Sequence, residues 1–126
     1  PDAIGMNNHM GSVATAQPDV VLAVIKGLKK KNLYFIDSLT SPLSIMYENC
    51  VIYDVPTARR RFFLDNDKDT GAIINQLRKA LKYAQKNGKV IVTGHTYNET
   101  LAALTYLMEN GEFADVEICP ASELLN

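Results

Sequence analysis

Both histidines of this chain, His9 in "NNHMGS" and His95 in "VTGHTYN", stand within a few residues of the end of a short apolar run. Other polar groups share that placement: Asn7 and Asn8 after "AIGM", Asp37 and Ser38 after "LYFI", and Asp65 and Asn66 after "RFFL". Imidazoles within reach of carboxylates form general acid–base pairs, or hold Zn²⁺ and similar ions. The chain has no HExxH and no HxxxH, so spacing alone gives metal binding little support. A plainer reading stands beside each residue. Asp, Asn and Ser after a strand also cap the next helix, and a loop histidine is also an ordinary hydrogen-bonded turn residue. Capping is the simpler account of Asp37–Ser38 and of Asp65–Asn66 taken singly. What favours a site is that both histidines occupy such positions.

Other chemistries fit less well. "DNDKDTG" resembles the opening of an EF-hand loop, but Thr70 stands where the turn glycine belongs and Gln76 where the bidentate glutamate belongs. There is no Gly-rich phosphate loop and no GxSxG elbow, and neither cysteine neighbours a histidine in sequence. Lys29–Lys31 suits the end of a helix. Arg59–Arg61 precedes an apolar strand, where at least one arginine could turn toward the strand ends. With little aromatic interleaving and a net charge of -1, nucleic acid is not an expected partner.

The polar residues must be positioned by the elements around them. "AIGM" reads as a short buried strand. Gln17-Pro18-Asp19 opens a helix carrying Val20, Val21, Val24, Ile25 and Leu28 at helical spacing. "LYFID" is the next strand. Ser41-Pro42 is expected to begin a helix with Leu43, Met46, Tyr47 and Cys50 inward, and "VIYDV" is a strand or an extended link. "RFFLD" is a strand, followed by the strongest helix, from about Thr70 to Asn87, whose stripe is Ile73, Ile74, Leu77, Ala80, Leu81 and Ala84. "KVIVTGH" reads as the clearest buried strand. A helix with Leu101, Leu104, Leu107 and Met108 follows, stopped at Asn110-Gly111, and "DVEIC" is expected as a last strand. Apolar strands alternating with helices predict an α/β fold with parallel strands. The carboxyl ends of such strands share one rim, where ligands bind.

At 126 residues, 47% apolar and 21% charged, the chain suits a single domain over residues 1–126. No run is long enough for a membrane-spanning helix. The opening "PDAIGM" lacks an initiating Met and enters a strand almost at once, so sequence is expected upstream. Cys50 and Cys119 form no CxxC, and two buried thiols are expected.

Taken together, "GMNNHMGSVAT", "LYFIDSLTSPLS", "ARRRFFLDN" and "VTGHTYNETLAAL" resemble, in order, the divergent polysaccharide deacetylase family, related to the NodB-type carbohydrate deacetylases. The resemblance runs from Ala3 to about Ser122. It implies a distorted (β/α) barrel of the NodB type, incomplete here. This chain would be its C-terminal part, because the family's opening strand with an Asp-Asp pair has no counterpart. Such a piece is expected to associate with the missing N-terminal part or to form a homodimer. The resemblance also implies a location in the periplasm or elsewhere in the bacterial envelope.

Position by position, His9 resembles the histidine of the metal motif, and Asp37 and Ser38 the family's "DS" pair, with Asn7 and Asn8 beside them as substrate-binding candidates. Arg60 and Asp65 resemble the arginine and acid of the Phe-Leu-Asp motif. His95 resembles the general-acid histidine of the last motif, with a place in the metal shell as its other role. Two positions depart from NodB enzymes: Val13 replaces a second metal histidine, and Thr96 a common proline. The implied activity is hydrolysis of N- or O-acetyl groups on an envelope polysaccharide, assisted by a divalent metal, with zinc the expected ion. The implied alternative is a catalytically silent glycan-binding or envelope-assembly protein on the same scaffold.

Overall fold

The helix with the clearest stripe forms where its spacing places it. In the computed structural model, which describes residues 2–126, it is α3, Thr70–Asn87. The Asp69 side chain caps its N-terminus by accepting from the Ala72 amide at 2.8 Å, and Gly88 ends it at φ 85°, a left-handed conformation that suits glycine. Asp69→Ala is expected to cost about 1 kcal/mol, read as a lower urea midpoint with an unchanged slope. The described residues divide into two compact units: the residues up to Arg60 with Ala121–Asn126, and Arg61–Pro120.

The first unit is built on a parallel sheet in the order β1-β2-β3, with β1 Gly5–Asn7, β2 Tyr34–Asp37 and β3 Thr57–Arg59. Two helices connect the strands: α1, Pro18–Lys31, and α2, Met46–Ile52. The α1 helix has its proline in the first turn, Asp19 at its positive end and Lys29–Lys31 at its negative end. Val21, Ile25 and Leu28 of α1 pack with Phe35, Met46, Cys50 and Val55 into one apolar cluster. Burial pushes the Cys50 thiol up to about 11, so it behaves as a core hydrophobe rather than a nucleophile.

The second unit is smaller in its sheet. β4, Phe62–Phe63, pairs in parallel with β5, Val92–Thr93. The α3 helix packs beside α4, Asn98–Glu109, over a cluster of Leu64, Ile73, Leu77, Ala103 and Leu107. Neither sheet closes on itself. The fold is therefore mixed α/β with parallel strands and crossover helices.

Several elements differ from the sequence reading. β1 begins at Gly5, two residues late, and is not buried: as an edge strand it leaves Ile4 65% and Met6 45% exposed. Ser41-Pro42 opens a turn instead of a helix. The Ser41 hydroxyl accepts from the Leu43 amide, α2 starts only at Met46, and Leu43 points outward. "VIYDV" is the end of α2 plus a turn through Asp54 at φ 54°, while the unforeseen strand β3 falls on "TAR". β5 keeps two residues of its expected run and is half-buried, and "DVEIC" forms no strand, with Ile118 exposed. Val20, Leu101 and Met108, expected inward, lie on exposed helix faces, and Cys119 is only half-buried.

Candidate functional site

Strand register decides which polar residues become neighbours. In the first unit, Asn7 pairs with Ile36, and Asp37 pairs with Arg59. The residues just past these pairs gather at the carboxyl ends of β1, β2 and β3. The Asn7 amide donates to the Ser38 hydroxyl at 3.2 Å, and Asn8 Oδ1 accepts from the Ser38 amide at 2.7 Å. Arg60 grips the same loop from β3: Nε donates to the Ser38 carbonyl and Nη2 to the Leu39 carbonyl at 2.9 Å. These bonds hold Leu39 at φ 45°, a left-handed conformation that a leucine adopts only under constraint. His9 is exposed, in a bend just beyond β1.

Asp37 is wholly buried. Oδ1 accepts from the Leu39 amide at 2.9 Å, Oδ2 accepts from the Ser44 hydroxyl at 3.0 Å, and Arg59 Nε lies 3.6 Å from Oδ2. That last distance is an ion pair without a hydrogen bond, so the buried Nε–H finds no acceptor among the described residues. Outside, Arg59 Nη2 donates to both Glu48 carboxylate oxygens at 2.8 and 2.9 Å, and the guanidinium covers the Tyr47 ring. Asp37 thus organises the β2 loop from beneath, with Ser38 buried beside it and Asn7 and Asn8 bonded to Ser38 from the end of β1. Burial lowers the Arg60 pKa, with Asp37 acting in the opposite direction.

In the second unit, the β4–β5 register of Phe62 with Val92 and Phe63 with Thr93, continued two residues, sets Asp65 beside His95. Asp65 Oδ1 lies 2.9 Å from His95 Nδ1, while Oδ2 accepts from the His95 backbone amide and, at 2.8 Å, from the Thr100 hydroxyl. Burial raises the Asp65 carboxyl, but the hydrogen bonds from the His95 amide, the His95 ring and Thr100 outweigh it and hold the group below the usual carboxylate range. Gly94 makes the approach possible: a Cβ there would stand 3.2 Å from Asp65 Oδ2. The Asp65 side chain is fully buried, whereas that of His95 stays 40% exposed. A buried ionised carboxylate against Nδ1 favours the tautomer with the proton on Nδ1.

The structure therefore joins Asn7, Asn8, Asp37, Ser38 and Arg60 in one unit, and Asp65 with His95 in the other. Sequence reasoning missed Arg59 and Ser44 as partners of Asp37, and Thr100 as the hydroxyl on Asp65. Thr100 lies in the first turn of α4, five residues after His95, where a hydroxyl facing back toward the preceding strand was open to notice. Among the described residues no three His, Cys, Asp or Glu side chains converge as a metal site, and no helix is long and apolar enough to cross a membrane.

The chain belongs to the divergent polysaccharide deacetylase family, whose family model matches residues 1–125. It is 38% identical over 109 residues to an uncharacterized protein of Haemophilus influenzae, covering 86% of this chain and 39% of that protein. It is 33% identical over 126 residues to the uncharacterized protein YibQ of Escherichia coli K12, covering the whole of this chain and 39% of YibQ. The chain thus spans well under half the length of both relatives. A crystal structure of the uncharacterized protein ATU2773 from Agrobacterium tumefaciens C58 matches with a TM-score of 0.89 at 22% identity, over 96% of this chain and 49% of that one, and shares its fold.

Proposed function

We propose that this chain is part of a distorted (β/α) barrel of the NodB type that hydrolyses acetyl groups, N- or O-linked, on an envelope polysaccharide. The observation that carries the reading is the Asp65–His95 pair: a buried carboxylate with one oxygen against the imidazole and the other held by the His95 amide and the Thr100 hydroxyl, while the outer part of the imidazole remains exposed. Amide hydrolysis needs a proton delivered to a poor leaving group, and an imidazole that has taken a proton onto Nε2 from solvent or the attacking water gives it to the amine from that atom. Asp65 orients the ring through Nδ1 and stabilises the imidazolium that forms when Nε2 is protonated. Membership of a polysaccharide deacetylase family supports a carbohydrate as the substrate, with Asn7, Asn8 and Ser38 offering amides and a hydroxyl to sugar hydroxyls. Asp37 and Arg60 are assigned to positioning, because their described contacts are to the loop itself.

A divalent metal, with zinc the expected ion, would polarise the acetyl carbonyl when bound. The described residues do not make a ligand set by themselves. His9 is the candidate ligand. Since Nδ1 of His95 faces Asp65, a place for His95 in the metal shell would fall to Nε2.

A silent glycan-binding protein on the same scaffold is the competing reading. Elemental analysis of the protein at its full natural length separates the two when combined with glycan binding. The deacetylase reading expects a stoichiometric ion that is lost on His9→Ala. Glycan binding that survives both His9→Ala and His95→Ala, with no ion and no hydrolysis in the parent protein, overturns it.

A further inference from the structure

The His95 ring turns about its Cα–Cβ and Cβ–Cγ bonds, and a hydrogen bond at Nδ1 restrains that turning only at one edge of the ring. Two neighbouring rings bear on its faces and edge. The Tyr97 ring stacks on the imidazole, with centroids 4.8 Å apart and planes at 26°. Phe63 meets it edge-on at 5.4 Å and 75°. Tyr97 is the N-cap residue of α4, and the first turn of that helix also carries Thr100, the hydroxyl on Asp65 Oδ2. A single helix start thus touches both members of the pair. The Tyr97 ring is itself anchored: Lys68 Nζ lies 4.4 Å from its centroid and 3.9 Å from Glu99 Oε2, in the same first turn. A cation over a tyrosine face adds attraction that the ring alone lacks.

We propose that Tyr97 is a positioning residue for His95, its stacked ring fixing the imidazole plane so that Nδ1 stays on Asp65 and Nε2 keeps one orientation. The inference rests on the acid–base reading of His95 given above. The Lys68–Tyr97 contact holds the stack in register. The Tyr97 hydroxyl has no part in the argument, so a phenylalanine should serve as well, whereas an aliphatic side chain should not.

The test uses the full-length protein with Tyr97→Leu, which keeps apolar bulk, and Tyr97→Phe, which keeps the stack. Two readouts are taken: kcat and KM for acetate release from an N-acetylated chito-oligosaccharide, and the ¹⁵N shifts of the His95 ring, which report its tautomer. The expected result for Tyr97→Leu is a fall in kcat of about 5- to 10-fold with KM unchanged. The ring shifts should move from a single Nδ1–H tautomer toward an averaged pair, and Tyr97→Phe should restore both readouts. Wild-type kcat and a single tautomer in Tyr97→Leu overturn the proposal, as does a Phe variant that fails to recover. If the parent protein releases no acetate, the deacetylase reading fails while the tautomer readout still decides the role of Tyr97. Should Tyr97→Leu not fold, Lys68→Met reads the same stack: partial averaging of the ring shifts supports the proposal, and unchanged shifts refute it.

Discussion

Asp65→Asn is expected to lower kcat for deacetylation by about 10²- to 10⁴-fold, with little change in KM. The reason lies in the count of donors. The His95 ring, the His95 backbone amide and the Thr100 hydroxyl all point at Asp65, and a carboxylate accepts from all three. Asparagine has one oxygen and one NH₂ in the same space. With the oxygen kept for the backbone amide and Thr100, the NH₂ faces Nδ1, and the ring takes the opposite tautomer with its proton on Nε2. The substitution keeps shape but removes the charge that stabilises the imidazolium, and a neutral ring with its proton on Nε2 is too weak an acid to replace it.

The same change has a signature in pH. The Asp65 pKa in the fold lies below its ordinary value of 3.8, so the carboxylate's contribution to stability is complete above that value. It is lost as pH falls through the lower, folded value. Asp65→Asn removes that contribution at every pH. The stability gap between wild type and variant should therefore be widest near neutrality and narrow below about pH 4, as read from urea midpoints. A gap that widens on acidification would mean that Asp65 is not the ionised acceptor its contacts describe.

Asp37→Ala carries the largest expected cost in stability, about 3–5 kcal/mol. Removing a wholly buried carboxylate strands three groups at once: the Leu39 amide, the Ser44 hydroxyl and the inner side of the Arg59 guanidinium. Among the described residues Arg59 already has one buried N–H without an acceptor, and the variant leaves it Glu48 as its one counter-ion there. The Leu39 backbone would lose one of the contacts that keep it at positive φ. Asp37→Asn should cost less, since an amide still accepts from one of the two donors. A loss under about 1 kcal/mol for Asp37→Ala would place the carboxylate among surface pairs of little worth and would return it to the list of direct substrate contacts.

How much of this was open to reading depends on which physical signal each element carries. α1 and α3 announce themselves, because each has a long period with charges or a cap suited to its dipole, from Pro18-Asp19 to Lys29–Lys31 and from Asp69 to Gly88. The strands are two to four residues long, too short for a period to show. β3 escaped notice because "TAR" follows a proline and holds a single apolar residue; it is a strand because β2 offers it an edge. "DVEIC" has strand-like residues yet pairs with no strand of the described chain, which illustrates how far β-structure depends on a partner.

The candidate site follows the same division. Residue type marked His95, Asp65, Asp37 and Ser38 as polar groups at strand ends. Their pairing is a matter of register: Asp65 meets His95 because β4 and β5 align at an offset of 30 residues, and Asp37 meets Arg59 at an offset of 22. No local pattern encodes such offsets. Burial and bond partners are likewise not written in the letters: Asp37 lies wholly buried, and Arg60 grips the carbonyls of Ser38 and Leu39.

The most direct test of the central claim is acetate release from an N-acetylated glycan by the full-length protein and by its His95→Ala variant, at equal concentration and with equal glycan binding confirmed. The account predicts release by the parent that falls by at least about 10²-fold in the variant. Equal release by both, or binding by both with release by neither, would contradict it.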